Sequence, residues 1–248
     1  DGGSQTGYNY TMAAVAWAKA NTDAHLDHLA IIGASAGAVG VQLWAKTLLE
    51  DFSANGRSYR NASVLMDSFL GVFPPAALKR IINSEFRACT TPLSQAWGLQ
   101  CGQGLAVKDV LMDTMKRFKD VPFLLINTKA DFVQIAYYSA LAMTVLGRNR
   151  GFTDDEFYKE ANAYFEDYNT CRNFALFQIN GAAHVLLPRP RCAQGSSDCY
   201  RSMYDATPAG RAPAGIPMSA WLDNVVNGNC SVTHECDGRA RAYCPTTA

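Results

Sequence analysis

The chain carries no excess charge of either sign: 22 Lys and Arg stand against 22 Asp and Glu in 248 residues. A nucleic-acid binder needs a basic footprint to neutralise phosphate, so that class is excluded. The same balance removes any simple case for a polybasic membrane anchor. No uninterrupted apolar stretch approaches the roughly 20 residues of a membrane-spanning helix. There is no GxGxxG, no Walker loop, no HExxH and no CxxC pair, so the common dinucleotide, P-loop, zincin and zinc-ribbon signatures are missing. No cofactor or metal is expected. The chain shows no internal repeat and no signal-peptide pattern, opening instead on Asp1-Gly2-Gly3-Ser4. With 48 % hydrophobic and only 18 % charged residues it is too apolar for intrinsic disorder.

What is present points outward from the cell. Eight Cys without a CxxC favour disulfides, and three glycosylation sequons agree, at Asn9, Asn61 and Asn229. Cys230, His234, Cys236 and Cys244 form a cluster that could suggest zinc, but their spacing does not fit the common structural zinc patterns. Disulfides are the better account in a secreted, Cys-rich chain.

The hydrophobic periodicity alternates between helix and strand. Tyr10–Ala20 carries Met12, Val15, Ala16 and Trp17 at helical spacing. The apolar run 29–32 reads as a strand, buried on both faces if central in a parallel sheet. A small-residue turn follows, then a helix over 39–49. Strands are expected at 62–66, 121–127 and 174–179, and helices near 107–118 and at 132–146, 154–168 and 218–226. Thr153 with Glu156 three residues on forms a capping box for the helix at 154. Trp17, Trp44 and Trp221 fall on helices, where core packing is the default. The alternation predicts one α/β domain spanning 1–248 with a mostly parallel sheet flanked by helices. Residues 70–120 and 150–172 read as partly cap-like helical insertions. Residues 186–248 read as a loop stapled through Cys192 and Cys199, a last helix and a Cys-rich tail; Arg189, Arg191, Arg201 and Arg211 are solvated loop groups.

One motif carries chemistry. Gly33-x-Ser35-x-Gly37 lies between a strand and a helix, the context of a nucleophile elbow. The turn there is strained, and Gly at both flanks is expected to remove clashes and push the Ser35 hydroxyl out of the sheet. The Ala36 amide, at the start of the next helix, would point toward a developing oxyanion. A serine hydroxyl needs a base, and the base needs an orienting acid. In the α/β-hydrolase order of Ser, acid, His, only His184 and His234 follow Ser35. His184 sits in a small-residue loop just past the 174–179 strand, while His234 lies in the tail. His25 and His28 precede the motif and read as surface groups. Asp131 and Asp67 both follow strands, where open α/β sheets place functional groups. Asp131 is preferred as the acid; the alternative for it is capping of the helix opening at Phe132. Asp67 could hydrogen-bond a loop near the site.

Taken together these segments resemble the pectin acetylesterase family, which includes the Notum-type carboxylesterases. Asp1-Gly2-Gly3-Ser4 with Gly7, Gly33-Ala34-Ser35-Ala36-Gly37, Met66-Asp67-Ser68, the Asn127, Asp131, Gln134 and Ile135 series, and Gly181–His184 follow the family's motifs in order over about residues 1–230. The resemblance implies an α/β-hydrolase with Ser35 as nucleophile, Asp131 as orienting acid and His184 as base. It further implies Ala36 N–H as an oxyanion donor, with Gly33, Gly37, Asp67 and Gln134 as structural residues beside the site. The implied activity is deacetylation of a cell-wall polysaccharide such as pectin. Alternatives are a lipid or protein-lipid deacylase of the Notum type, or a non-catalytic secreted binding module on a hydrolase scaffold. Ala34 and Val185 stand where many plant members carry Cys, which bears on the substrate more than on the triad. Members also carry a Gly-Gly-Trp oxyanion loop upstream of the Asp-Gly-Gly-Ser segment. The resemblance thus implies that the first N-terminal strands are missing and that their segment or chain lies elsewhere.

Overall fold

A computed structural model describes residues 6–72, 88–97, 106–187, 216–226 and 234–236. It is mixed α/β. Four parallel strands, β1 (His25–Ala34), β2 (Ser58–Asp67), β3 (Phe123–Thr128) and β4 (Phe174–Ile179), lie side by side in chain order. The two-residue β5 (Glu235–Cys236) extends the sheet beyond β4. The helices are α1 (Gly7–Ala20), α2 (Ala36–Asp51), α3 (Pro92–Trp97), α4 (Val107–Arg117), α5 (Phe132–Leu146), α6 (Asp154–Tyr168) and α7 (Met218–Val226), with a short 3₁₀ turn at Ala88–Thr90.

Chain-ordered parallel strands dictate where the helices go. Crossovers between parallel strands are right-handed, so β1 to β4, added in one direction, throw the helices that connect them onto the same face. Side chains of α2, α4, α5 and α6 accordingly share one core with Leu29, Ile31, Val64, Met66, Phe123, Leu125, Phe174 and Leu176. The alternate residues of the strands, Leu65, Leu124, Ile126, Ala175, Phe177 and Ile179, face the other way. They pack beneath Met218 and Trp221 of α7 and beneath Leu186. Both β3 and β4 are buried at every position, which explains why they are mostly apolar, with Asn127, Thr128 and Gln178 the buried polar exceptions.

Several expectations are corrected. Burial of the 29–32 strand on both faces is expected only for a central strand; among the described residues β1 stands first in the strand order, and Ile32 is 59 % exposed and Ala30 is also exposed. The crossovers cover only one face, and the α7 core that covers the other takes its strand residues from β2, β3 and β4. β1 also starts earlier, at His25; His25 Nδ1 meets Ser58 Oγ at 2.8 Å and His28 Nε2 meets Ser63 Oγ at 2.9 Å. Trp17 is 68 % exposed rather than packed, because α1 turns only Val15, Ala18 and their neighbours toward the core. Trp44 is half-buried and stacks on Tyr8, while Trp221 is fully buried against Phe177. The helices α4 and α6 bury Val107, Leu111, Met115, Phe157, Ala161 and Phe165 in the main core.

Of the cysteines in the described residues, Cys89 and Cys236 are disulfide-bonded and Cys171 is a free buried thiol. Asn9 and Asn61 are both exposed. Asp1–Ser4, Cys101, Cys192, Cys199, Asn229, Cys230, Cys244 and the loop arginines 189, 191, 201 and 211 lie outside the described residues. No helix of the described residues is long and apolar enough to cross a membrane.

Candidate active site

The register brings the carboxyl ends of the strands together along one edge of the sheet. Ala34 pairs with Asp67, Asp67 with Ile126, and Thr128 with Ile179. The residues immediately after these ends are Ser35, Ser68, the 129–131 turn and the 180–184 loop. Open parallel sheets gather functional groups at this edge.

Ser35 turns the chain from β1 into α2 at φ 54° and ψ −124°, a conformation that costs a residue with a Cβ of order 1–3 kcal/mol. Its backbone holds that shape: Ser35 N–H donates to Asp67 O at 2.8 Å, and Ser35 O accepts from Ala38 N at 2.9 Å. The expectation that both flanking glycines relieve clashes holds for Gly33 alone. A Cβ on Gly33 would lie 2.2 Å from Gly37 O and 2.7 Å from Val41 Cγ2. A Cβ on Gly37 would meet nothing within 4 Å, because Gly37 already stands on the open side of the turn.

Ser35 Oγ lies 2.8 Å from His184 Nε2. His184 Nδ1 lies 2.8 Å and 3.0 Å from the two carboxylate oxygens of Asp131. A carboxylate only accepts, so Nδ1 carries the hydrogen and Nε2 is left to accept from the Ser35 hydroxyl. The Asp131 side chain is fully buried and that of His184 nearly so. Asp131 is also the cap of α5, its Oδ1 accepting from Val133 N and Gln134 N at 3.0 Å each. The acid and the capping readings of Asp131 are thus the same geometry. Gln134 donates from Nε2 to Asp131 Oδ2 at 2.8 Å and to Asn127 Oδ1 at 2.7 Å. Its Oε1 accepts from Leu70 N. These contacts hold both of the carboxylate oxygens that His184 Nδ1 faces.

Asp67 is buried and does not touch the histidine ring through any hydrogen bond of the network. Its Oδ2 accepts from Leu186 N and Leu187 N at 2.7 Å each, and its Oδ1 accepts from Ser68 Oγ at 2.7 Å. Burial pushes its carboxyl above the ordinary value, against the opposing pull of these hydrogen bonds and of His184. Ser68 Oγ in turn accepts from Val185 N at 2.9 Å. Ser68 and the strained backbone of Val185 were not anticipated as parts of the site. Only the adjacency of Ser68 to Asp67 in the sequence could have signalled it.

Ala36 is exposed at the first turn of α2, where amides have no carbonyl partner within the helix. His234 is remote from this cluster in its bonding: Nδ1 accepts from Leu176 N and Nε2 pairs with Asn169 Oδ1 at 2.7 Å. Among the described residues no group of three or more His, Cys, Asp and Glu is placed to hold a metal ion.

A hydroxyl, an imidazole and a buried carboxylate in hydrogen-bonded series can deprotonate the hydroxyl as it attacks an electrophilic carbon. Compared with protein-family models, curated proteins and solved structures, the chain finds no match.

Proposed function

We propose that the protein is a secreted serine carboxylesterase that removes acyl groups, foremost acetyl, from a cell-wall polysaccharide such as pectin, on an α/β-hydrolase scaffold. The observation that carries this reading is the series Ser35 Oγ to His184 Nε2 at 2.8 Å and His184 Nδ1 to Asp131 Oδ2 at 2.8 Å. It is supported by the positive φ of Ser35 and by the sequential positions of the three residues, after β1, β3 and β4. Secretion is supported by the sequons and the cysteine content.

In the reaction the Ser35 oxygen adds to the ester carbonyl carbon while its proton passes to His184 Nε2. Asp131 stabilises the imidazolium through Nδ1–H. The developing oxyanion draws on the amide of Ala36 at the start of α2. Collapse of the tetrahedral species expels the sugar alkoxide, which takes the proton from His184, and leaves Ser35 acylated. Water, activated by the same imidazole, adds to the acyl carbon; collapse releases the carboxylic acid and returns the proton to Ser35.

A second reading changes only the acyl group. Phe132, next to Asp131 and tied by its amide to Ala182 O, is 61 % exposed, and such an apolar surface beside the triad suits a longer acyl chain. The test is hydrolysis of p-nitrophenyl acetate, butyrate and octanoate together with acetate release from acetylated pectin. Preference for acetate and release from pectin are expected; preference for octanoate supports the lipid reading. Full activity in Ser35→Ala overturns the serine mechanism, and a wild-type protein inert on every ester supports a binding module.

A further inference from the structure

Asp67 touches both halves of the hydroxyl–imidazole pair without touching either reacting atom. Its backbone oxygen accepts from the Ser35 amide at 2.8 Å, and its carboxylate accepts from the amides of Leu186 and Leu187. Ser68 continues the same grip, its Oγ bound to Asp67 Oδ1 on one side and to Val185 N–H on the other. Three successive amides after His184 are thus docked on two successive side chains, the last of β2 and the first beyond it.

The segment before His184 is held in the opposite sense, through its carbonyls. Lys129 N, Ala130 N and Phe132 N donate to Ile179 O, Gly181 O and Ala182 O, and Thr128 Oγ1 donates to Ala183 O at 2.7 Å. The base therefore sits where a loop fastened to the acid's turn meets a loop fastened to Asp67 and Ser68. The junction is strained. Val185 has φ 59°, and for a β-branched residue this is a genuine outlier that persists only where its surroundings over-determine it.

We propose that Asp67 and Ser68 are positioning residues that hold His184 at proton-transfer distance from Ser35, by clamping the strained 185–187 backbone to the same strand end that anchors the Ser35 amide. This rests on the esterase reading of Ser35, His184 and Asp131. Without the clamp Val185 relaxes toward negative φ and carries the imidazole with it. A displacement of about 1 Å costs on the order of 10²-fold in rate.

The experiment compares Asp67→Ala, Asp67→Asn and Ser68→Ala with the wild type in kcat and KM for p-nitrophenyl acetate and in the downfield proton signal of His184 Nδ1–H. Asp67→Ala is expected to lower kcat on the order of 10²-fold with KM little changed, and to broaden or lose the signal. Asp67→Asn should recover most of the rate, because the amide oxygen still accepts from Leu186 and Leu187 and its NH₂ reaches Ser68. Ser68→Ala, which leaves the buried carboxylate in place and serves if Asp67→Ala does not fold, should lose about 10-fold, an expected tenth of the full clamp's effect. A kcat within threefold of wild type in both alanine variants, or Asp67→Asn falling as far as Asp67→Ala, overturns the clamp. A wild type inactive on esters overturns the esterase reading instead. The clamp is then judged on the His184 signal: loss in Asp67→Ala and retention in Asp67→Asn support it, and an unchanged signal in Asp67→Ala overturns it.

Discussion

Asp131 presents one carboxylate to two tasks: it receives the His184 Nδ1–H at 2.8 Å and caps α5 through the amides of Val133 and Gln134. An asparagine retains the second task and disturbs the first, since its oxygen still caps the helix while its NH₂ cannot accept from Nδ1. Asp131→Asn is therefore expected to lower kcat on the order of 10³–10⁴-fold and to lower the melting temperature, because the NH₂ is set against the Gln134 Nε2 donor. Asp67→Asn, assayed beside it, should lose far less. Equal losses, or the larger loss at Asp67, would reassign the acid.

The two glycines of the serine turn differ in consequence. Gly33→Ala places a Cβ 2.2 Å from the carbonyl oxygen of Gly37, a backbone atom that cannot swing aside. We expect destabilisation of about 1–3 kcal/mol or more, read as a lowered urea midpoint. Gly37→Ala meets open space on the first turn of α2, so its midpoint should match or exceed wild type by up to about 1 kcal/mol.

Asp67 gives stability a slope with pH. Its carboxyl is raised in the folded state because burial disfavours the charge, against the pull of its hydrogen bonds to Leu187, Ser68 and Leu186. The folded protein then binds more protons than the unfolded chain between the ordinary value of 3.8 and the raised one. Stability from this group consequently falls as pH rises through that window and levels off above it. Urea midpoints of wild type and Asp67→Asn across that range should converge at the acid end and separate with rising pH, Asp67→Asn gaining relative to wild type. A constant difference would remove the desolvation account.

Thr153 and Glu156 close the capping box of α6 by mutual hydrogen bonds, Glu156 N to Thr153 Oγ1 at 3.2 Å and Thr153 N to Glu156 Oε2 at 2.9 Å. Thr153→Ala should cost about 1 kcal/mol in urea unfolding. The Arg150 guanidinium, with the Thr153 amide, holds the Glu156 carboxyl down at about 2, below its ordinary 4.5. Its contribution is present above 4.5 and is lost as pH falls toward about 2. Glu156→Gln should flatten this acid limb in a melting series.

The elements most legible in the sequence were those with the least ambiguous local physics. β3 and β4 are apolar at nearly every position because both faces are covered, and α6 announces its start through Thr153 and Glu156. Ser35, Asp131 and His184 were legible because a strand-turn-helix motif and chain order restrict the candidates to very few. What escaped was set by tertiary neighbours. The polar start of β1, His25–His28, gives no strand signal because β1 stands first in the strand order among the described residues and its exposure alternates. Trp17 reads as core until the helix is docked and turns it outward. The asymmetry between Gly33 and Gly37 depends on the path of α2, and nothing about a valine at 185 advertises a positive φ.

The chain-ordered sheet also governs how this site comes into being. Ser35 and His184 are separated by 149 residues, and their meeting requires every crossover from β1 through β4 to be closed. Local helices can form early, whereas parallel pairings over such separations incur loop-closure entropy before any contact repays it. The hydrogen-bonded series of Ser35, His184 and Asp131 is therefore a late-acquired property of the folding chain, absent from a partly folded molecule that has only its native-like helices.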